Sequence, residues 1–393
     1  MRDRHVYILG KPGMGKSTLM LSMIRQDILN GKGVAVIDPH GDLAEDVIRH
    51  IPRNRIQDTV YFNPVETPIG INLFKADSEE EKRLVSGDLF LVFQRLTGTG
   101  GVRMDAIIKR GIQLLMEIPG STFHDLYRLF TNDYFRHQLV NRVTDEGLRD
   151  FWVNVWPKYT HPATEEPLVT RLSEFDGNKS LRAVLSTVSP LDFYQLIQER
   201  KIFVANISKG LVGQDTSPIL GTLLVSQFQL AGFRQAKLPQ NKRIPCYLYI
   251  DEFQSFRTSA FNEIVIEGRK YQLCLTLANQ KLDDLDQESK NIIDACETNI
   301  FFRLIHSDAK KFGGTIGSFN ADQLMNLNKF EAIVRPGRPQ DTKKIQINLP
   351  PRIQGGFKRE IVEYTLRTYR RKVPDVTRVD HREDDVLPGL APD

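Results

Sequence analysis

Eight consecutive residues, Gly10-Lys11-Pro12-Gly13-Met14-Gly15-Lys16-Ser17, satisfy G-x-x-x-x-G-K-[ST] at every fixed position. Glycines in such a run let successive backbone N–H groups turn toward one anion. A helix starting at the lysine adds the positive end of its dipole. This chemistry suits a triphosphate. Lys16 is expected to bridge the β- and γ-phosphates, Ser17 to ligate Mg²⁺, and Thr18 to touch the α-phosphate. The main chain of Lys11, Pro12 and Met14 completes the cradle.

A second constellation lies at Asp251 and Glu252, which end the apolar run Pro245–Ile250. Adjacent carboxylates at the end of a buried strand repel each other unless a cation offsets them. Asp251 is expected to hold Mg²⁺ through water, and Glu252 to orient and deprotonate an attacking water. A glutamate directly after the aspartate indicates ATP rather than GTP. Gln280 follows the next apolar run, and a neutral amide there either senses the γ-phosphate and the attacking water or merely caps the loop. Arg269 precedes that run and so falls at the opposite sheet edge. It is either an arginine finger for a neighbouring subunit's nucleotide or a surface arginine closing a helix. Asp38 and His40, in Asp38-Pro39-His40-Gly41-Asp42, also fall at a strand end and border the site.

The elements that must position these groups follow from apolar periodicity. His5–Leu9 and Gly33–Ile37 read as buried strands flanking a helix over Ser17–Leu29. Lys201–Ile207, Pro245–Ile250, Gln272–Ala278 and Asn299–Leu304 read as further strands, with helices at Pro218–Ala236 and Phe261–Arg269. Continuous apolar strands alternating with helices imply a parallel sheet covered on both faces. Between them, helical stretches dominate: Ser78–Leu96, Asp105–Glu117, Thr122–Phe130, Asp145–Trp156, Glu166–Phe175 and Pro190–Gln198. Residues 331–349 read as a terminal hairpin with Gly337 and Pro339 near its turn, and the tail from 380 as disordered.

The expected fold is therefore α/β: a RecA-like additional-strand P-loop NTPase core with an inserted all-helical domain. The core takes residues 1–77 and 200–350, the insertion 78–199, and a basic, then acidic and proline-rich, tail 351–393.

Composition narrows the class without deciding function. The 393 residues are 40% hydrophobic and 26% charged, with a formal net charge of only +4. That is ordinary globular chemistry and does not by itself indicate a nucleic-acid binder. Basic residues gather in Arg352–Arg382, which reads equally well as a solvated helix face. Cys246, Cys274 and Cys296 fit no zinc spacing and read as reduced, buried packing residues of a cytosolic protein. No run approaches the ~18 apolar residues of a membrane span.

With these residues in place, the chain resembles the HerA/FtsK superfamily of nucleic-acid-translocating ATPases, and within it the cytosolic part of TraG/TraD-type conjugative coupling proteins of type IV secretion. The resemblance rests on Gly10–Thr18, Val36–Leu43 (VIDPHGDL), Tyr249–Phe253 (YIDEF), Gly268–Tyr271 (GRKY) and Leu275–Gln280 (LTLANQ), in that order, over roughly residues 1–350. It implies a homohexameric ring with ATP and Mg²⁺ between subunits, Arg269 acting in trans, and DNA in the central channel. It also implies relaxase or other secretion cargo at the helical insertion. The expected location is the cytoplasm, at the cytoplasmic face of the inner membrane. The family's transmembrane anchor and HerA's N-terminal barrel are not matched here, so a membrane-anchored partner or an anchor outside this sequence is expected.

Three functions compete on this reading. One is a DNA-translocating coupling ATPase, with Lys209–Gln214 and Arg257–Phe261 as candidate DNA loops or plain solvent loops. Another is a HerA-like translocase acting with a nuclease. The last is a nucleotide-gated adaptor that docks protein cargo without translocation.

Overall fold

The structure is a computed structural model. It describes residues 4–370 apart from 72, 75, 77, 98–100, 160–161, 187–190, 257–259, 285–291, 294, 315, 317 and 354. The expected disorder beyond 380 lies outside the described residues.

A nine-stranded sheet organises the chain. Its strands are β1 (Val6–Leu9), β2 (Gly33–Asp38), β3 (Thr59–Phe62), β4 (Ile202–Asn206), β5 (Cys246–Ile250), β6 (Leu273–Asn279), β7 (Thr298–Phe301), β8 (Glu331–Pro336) and β9 (Lys343–Gln346). Their spatial order is β3-β4-β2-β5-β6-β1-β7-β8-β9. The first seven in that order pair in parallel, and the terminal hairpin adds β8 and β9 antiparallel. Strand β6 lies between β1 and β5. That is the additional strand, and it separates the glycine loop from the acidic pair by one strand width, about 4.8 Å on each side.

Apolar residues on both pleat faces explain why the sheet is buried from both sides. Val6, Ile8, Val34, Val36, Val204 and Tyr249 pack against α1 (Lys16–Leu29) and α2 (Asp42–Arg49). Tyr7, Leu9, Ala35, Ile37, Leu248 and Leu277 face the other way, into a core that runs on among the helices between β3 and β4. Helix α12 (Thr216–Phe233) crosses that face and is apolar nearly all round, as a fully covered helix must be. Its close approach needs Gly232, where a Cβ would lie 2.2 Å from Leu273 Cδ1.

The remaining helices of the second layer are α3 (Glu79–Thr97), α4 (Val102–Glu117), α5 (Phe123–Thr131), α6 (Asp133–Val140), α7 (Glu146–Asp150), α8 (Pro162–Gly177), α9 (Lys179–Leu185) and α10 (Phe193–Gln198), followed beyond β4 by α11 (Lys209–Val212). Helix α5 starts with a reciprocal cap between Thr122 and Asp125. The single helix expected over Asp145–Trp156 is instead broken. A π-turn at Phe151–Val155 gives way to a 3-10 turn containing Pro157, where the missing N–H prevents regular continuation.

Strand β3 and helices α6 and α9 are not among the expected elements. Thr59–Phe62 is only four residues long and sits at the sheet edge, so its pattern is too short to show a period. It is covered by the helix Lys358–Tyr369. Tyr61 N donates to Thr365 Oγ1 at 3.1 Å, which satisfies an edge donor. Lys358 of the same helix pairs with Glu45 and Glu66, each at 3.0 Å, so part of the basic C-terminal stretch is structural rather than solvated. All three cysteines are buried and none is in a disulfide, as expected.

Candidate nucleotide site

Parallel pairing places the C-terminal ends of β1, β2, β5, β6 and β7 along one sheet edge. Gly10, Asp38, Asp251, Gln280 and Arg303 follow or end those strands, so topology brings residues up to 293 positions apart in sequence to a single line.

The glycine loop joins β1 to α1 and is held by its neighbours. Lys11 N donates to Arg303 O and Phe330 N to Met14 O, both at 2.9 Å. A Cβ at Gly10 would lie 2.5 Å from Phe302 Cβ, and Gly15 adopts φ 116°, so side chains are excluded at both. Lys16 is 6% exposed, and its Nζ donates to Gly10 O (2.7 Å) and Lys11 O (3.3 Å). Burial lowers its pKa, while Glu252 and Asp251 oppose that shift.

The acidic pair faces this lysine. Asp251 N donates to Ile37 O at 3.2 Å, which fixes the end of β5 to β2. Ser17 Oγ donates to Asp251 Oδ2 at 3.5 Å. Burial pushes the Asp251 carboxyl up to about 6, and Glu252 and Asp38 add to the effect against Lys16. Asp251 and Glu252 act on Lys16, and Asp38 acts on Asp251, so carboxylates outnumber the lysine at this buried edge, a setting that favours a cation. Among the described residues no cluster of three or more protein metal ligands is present. The oxygens of Ser17 and Asp251, 3.5 Å apart, are of the kind that hold Mg²⁺, whose shell takes one or two protein oxygens and the rest from phosphate and water.

Glu252 adopts a left-handed conformation, φ 46° and ψ 48°, at a cost of about 1–2 kcal/mol for a non-glycine residue. That turn brings its carboxylate between two amides. Gln280 Nε2 donates to Oε1 at 2.6 Å, and Gln254 Nε2 donates to Oε2 at 2.5 Å.

Not every sequence candidate reaches the centre. Asp38 is fully buried, but its oxygens accept from His40 N (2.8 Å) and Ala44 N (2.9 Å), which fixes the turn into α2. His40 is exposed. Arg269 is exposed and precedes β6, at the sheet edge opposite the glycine loop, as its position in the sequence implied. Lys209, in α11, donates to Ser255 Oγ at 3.4 Å, near the Glu252 turn. Residues 257–259 of the other candidate loop lie outside the described residues. The supports at Phe302, Arg303 and Phe330 were not legible beforehand. They lie just after β7 and just before β8, some 300 residues away, and carry no motif.

The class this fold and edge define is the RecA-like, additional-strand P-loop NTPase. Family comparison narrows it. The model described as the central domain of helicase HerA matches residues 1–88. The model described as the TraM recognition site of TraD and TraG matches residues 245–330. Over these two segments the chain is similar to the HerA central domain and to the TraD/TraG recognition site. No curated protein sequence matches it.

Solved structures share the fold at low identity. The unbound bacterial conjugative coupling protein TrwBdeltaN70 is 14% identical, with TM-score 0.64, over 89% of this chain and 85% of that one. The plasmid coupling protein TrwB in complex with ADP and Mg²⁺ is 14% identical, with TM-score 0.61, over 89% and 86%. VirB4 of Thermoanaerobacter pseudethanolicus is 16% identical, with TM-score 0.62, over 88% and 90%. Among the described residues no helix is long and apolar enough to cross a membrane.

Proposed function

We propose that this chain is an ATP-driven DNA-translocating motor serving conjugative transfer, with core and insertion dividing near residues 77 and 199. The observation that carries the reading is the Glu252–Gln280 hydrogen bond on the edge shared with Lys16, Ser17 and Asp251. A carboxylate tied to an amide at the strand beside the phosphate loop is a hydrolytic arrangement. A nucleotide-gated scaffold without turnover has no need of it.

The roles follow from position. The main chain of Gly10–Ser17 cradles the phosphates, and Thr18 lies one residue further along α1. Lys16 leaves its two carbonyl partners to bind the β- and γ-oxygens. Ser17 and Asp251 would hold Mg²⁺, which would neutralise developing phosphate charge. Glu252 accepts the proton of the attacking water, and Gln280 reports the γ-phosphate through its bond to Glu252. Similarity to TrwB in complex with ADP and Mg²⁺ supports this ligand class.

Arg269 stands too far along the strand direction to serve its own nucleotide, which supports a ring in which it serves the neighbour's. Arg269→Ala is expected to lose turnover, and to recover part of it when mixed with Lys16→Ala subunits in one ring. Mixed rings that form and stay inactive count against the trans finger.

The DNA assignment is tested by ATP turnover with and without DNA. Turnover is expected to rise several-fold on adding DNA, and the gain to fall steeply between 50 and 200 mM salt, as phosphate-dominated contacts do. A rate indifferent to DNA removes the motor reading. The HerA match over residues 1–88 favours a second reading, a translocase acting with a nuclease. A nuclease co-purifying with the chain supports it, and a relaxase or other secretion cargo bound through the helical insertion supports conjugation.

A further inference from the structure

Resting on the hydrolytic reading above, we propose that Asn279 is a positioning residue for Gln280, held in place by Tyr7 of the phosphate-loop strand. Asn279 is the last residue of β6, in register with Leu9 immediately before Gly10. Both Asn279 and Tyr7 are completely buried. The Tyr7 hydroxyl donates to Asn279 Oδ1 at 2.5 Å, and Asn279 Nδ2 donates to Lys281 O at 3.0 Å. One carboxamide therefore spans the main chain around Gln280, anchored to β1 at one end and to the far side of the loop at the other.

Tyr7 also touches the opposite half of the pair. Its ring packs edge-on against Phe253, the residue after Glu252, with centroids 6.3 Å apart. A single side chain on β1 thus fixes both the Glu252 turn and the Gln280 loop. Burial raises the Tyr7 pKa well above its ordinary value, so the hydroxyl remains a donor throughout the working range. The loop is held once more further along, where Leu282 N donates to Asp308 Oδ2 at 3.1 Å, from the helix His306–Phe312.

Packing alone does not call for this chemistry. The rest of β6 is Leu273, Cys274, Leu275, Thr276, Leu277 and Ala278, and an apolar residue at 279 would fill the core as well. A buried amide is tolerated only where its hydrogen bonds are met. Here those bonds run to the strand bearing the phosphate loop and over the residue contacting Glu252. Reacting groups displaced by about 1 Å lose on the order of 100-fold in rate, so a tie of this kind acts on turnover more than on binding.

The test is the double variant Tyr7→Phe/Asn279→Leu. Removing both partners of the Tyr7–Asn279 bond costs far less stability than removing one, and Lys281 O, which loses its bond from Asn279, belongs to an exposed residue. The double variant is expected to melt near the wild type and bind ADP with unchanged affinity. Its kcat for ATP is expected to fall about tenfold. Affinity for Mg–ADP–aluminium fluoride, which mimics the transferring phosphoryl group, is expected to fall in parallel. Unchanged kcat and unchanged fluoride-complex affinity overturn the inference, as does a loss of ADP affinity equal to the loss of kcat. Should the double variant not fold, Tyr7→Phe alone is read the same way, with about a threefold fall in kcat at constant ADP affinity expected. A wild-type chain that neither binds ADP nor hydrolyses ATP overturns the reading of the site itself. An active wild type with an equally active variant overturns the role of Asn279 alone.

Discussion

Glu252→Gln is expected to bind ATP as the wild type does and to hydrolyse it 100- to 10,000-fold more slowly, the usual range for loss of a general base. The surrounding amides make this substitution unusually clean. Both Glu252 oxygens accept from amide nitrogens, Gln280 Nε2 at 2.6 Å and Gln254 Nε2 at 2.5 Å. An amide at 252 can keep its oxygen toward Gln280, but its NH₂ then meets Gln254. Gln254 Oε1 is buried with no hydrogen-bond partner, so turning that amide over presents an acceptor and restores the second bond. The turn at 252 and the Gln280 contact are retained, and only the proton-accepting oxygen is lost. The check is single-turnover phosphate release alongside titration of a fluorescent ATP analogue. Ordinary turnover in Glu252→Gln takes the base role away from this residue.

Lys16→Ala is expected to weaken ATP binding by about 100-fold or more, the equivalent of about 3 kcal/mol for lost charge-assisted hydrogen bonds to phosphate. The ammonium is already drawn into the loop, where it is 6% exposed and bonded to the carbonyls of Gly10 and Lys11. It also moderates the carboxylates beside it, since Lys16 lowers the pKa of Asp251 against burial, Glu252 and Asp38. Its removal weakens the phosphate contact directly and leaves the acidic pair less able to stay ionised for a cation. Fold stability should change little, because alanine is the best helix former and position 16 opens α1. Calorimetric titration with Mg–ATP measures the loss. Undiminished affinity in a folded Lys16→Ala would falsify the phosphate-site assignment and, with it, every role given to Glu252 and Gln280.

These two substitutions separate functions that one pocket joins. Lys16 acts on the ground state, and Glu252 acts once the γ-phosphate is attacked. The Asn279 variant belongs with the second, because it reaches the site through Gln280. Agreement between Glu252→Gln and Tyr7→Phe/Asn279→Leu, both with kcat reduced at constant ADP affinity, would show the strand between β1 and β5 to be part of the hydrolytic apparatus rather than a spacer.

Local chemistry made much of this legible in advance. Gly10–Ser17 carries its own conformational requirement, and Asp251 and Glu252 follow a run too apolar to be anything but a buried strand. The alternation of such runs with amphipathic stretches named the fold class, because a strand apolar on both faces needs helices on both sides. What a short window holds, a sequence displays. Thr59–Phe62 was too short to show a period, and the π-turn at Phe151–Val155 has no residue pattern of its own, lying where the rings of Trp152 and Trp156 meet.

Tertiary structure alone decided which strand lies beside which. Placing β6 between β1 and β5 sets Gln280 against Glu252 and Tyr7 against Asn279, across separations of 28 and 272 residues. The contacts of Phe302, Arg303 and Phe330 with the glycine loop are of the same kind. Each is a long-range pairing chosen by the register of the sheet, and no stretch of chain contains both partners. The sequence by itself therefore determined which groups do the chemistry. The sheet decided the distances between them, because distance in a folded chain is set by which backbones share hydrogen bonds.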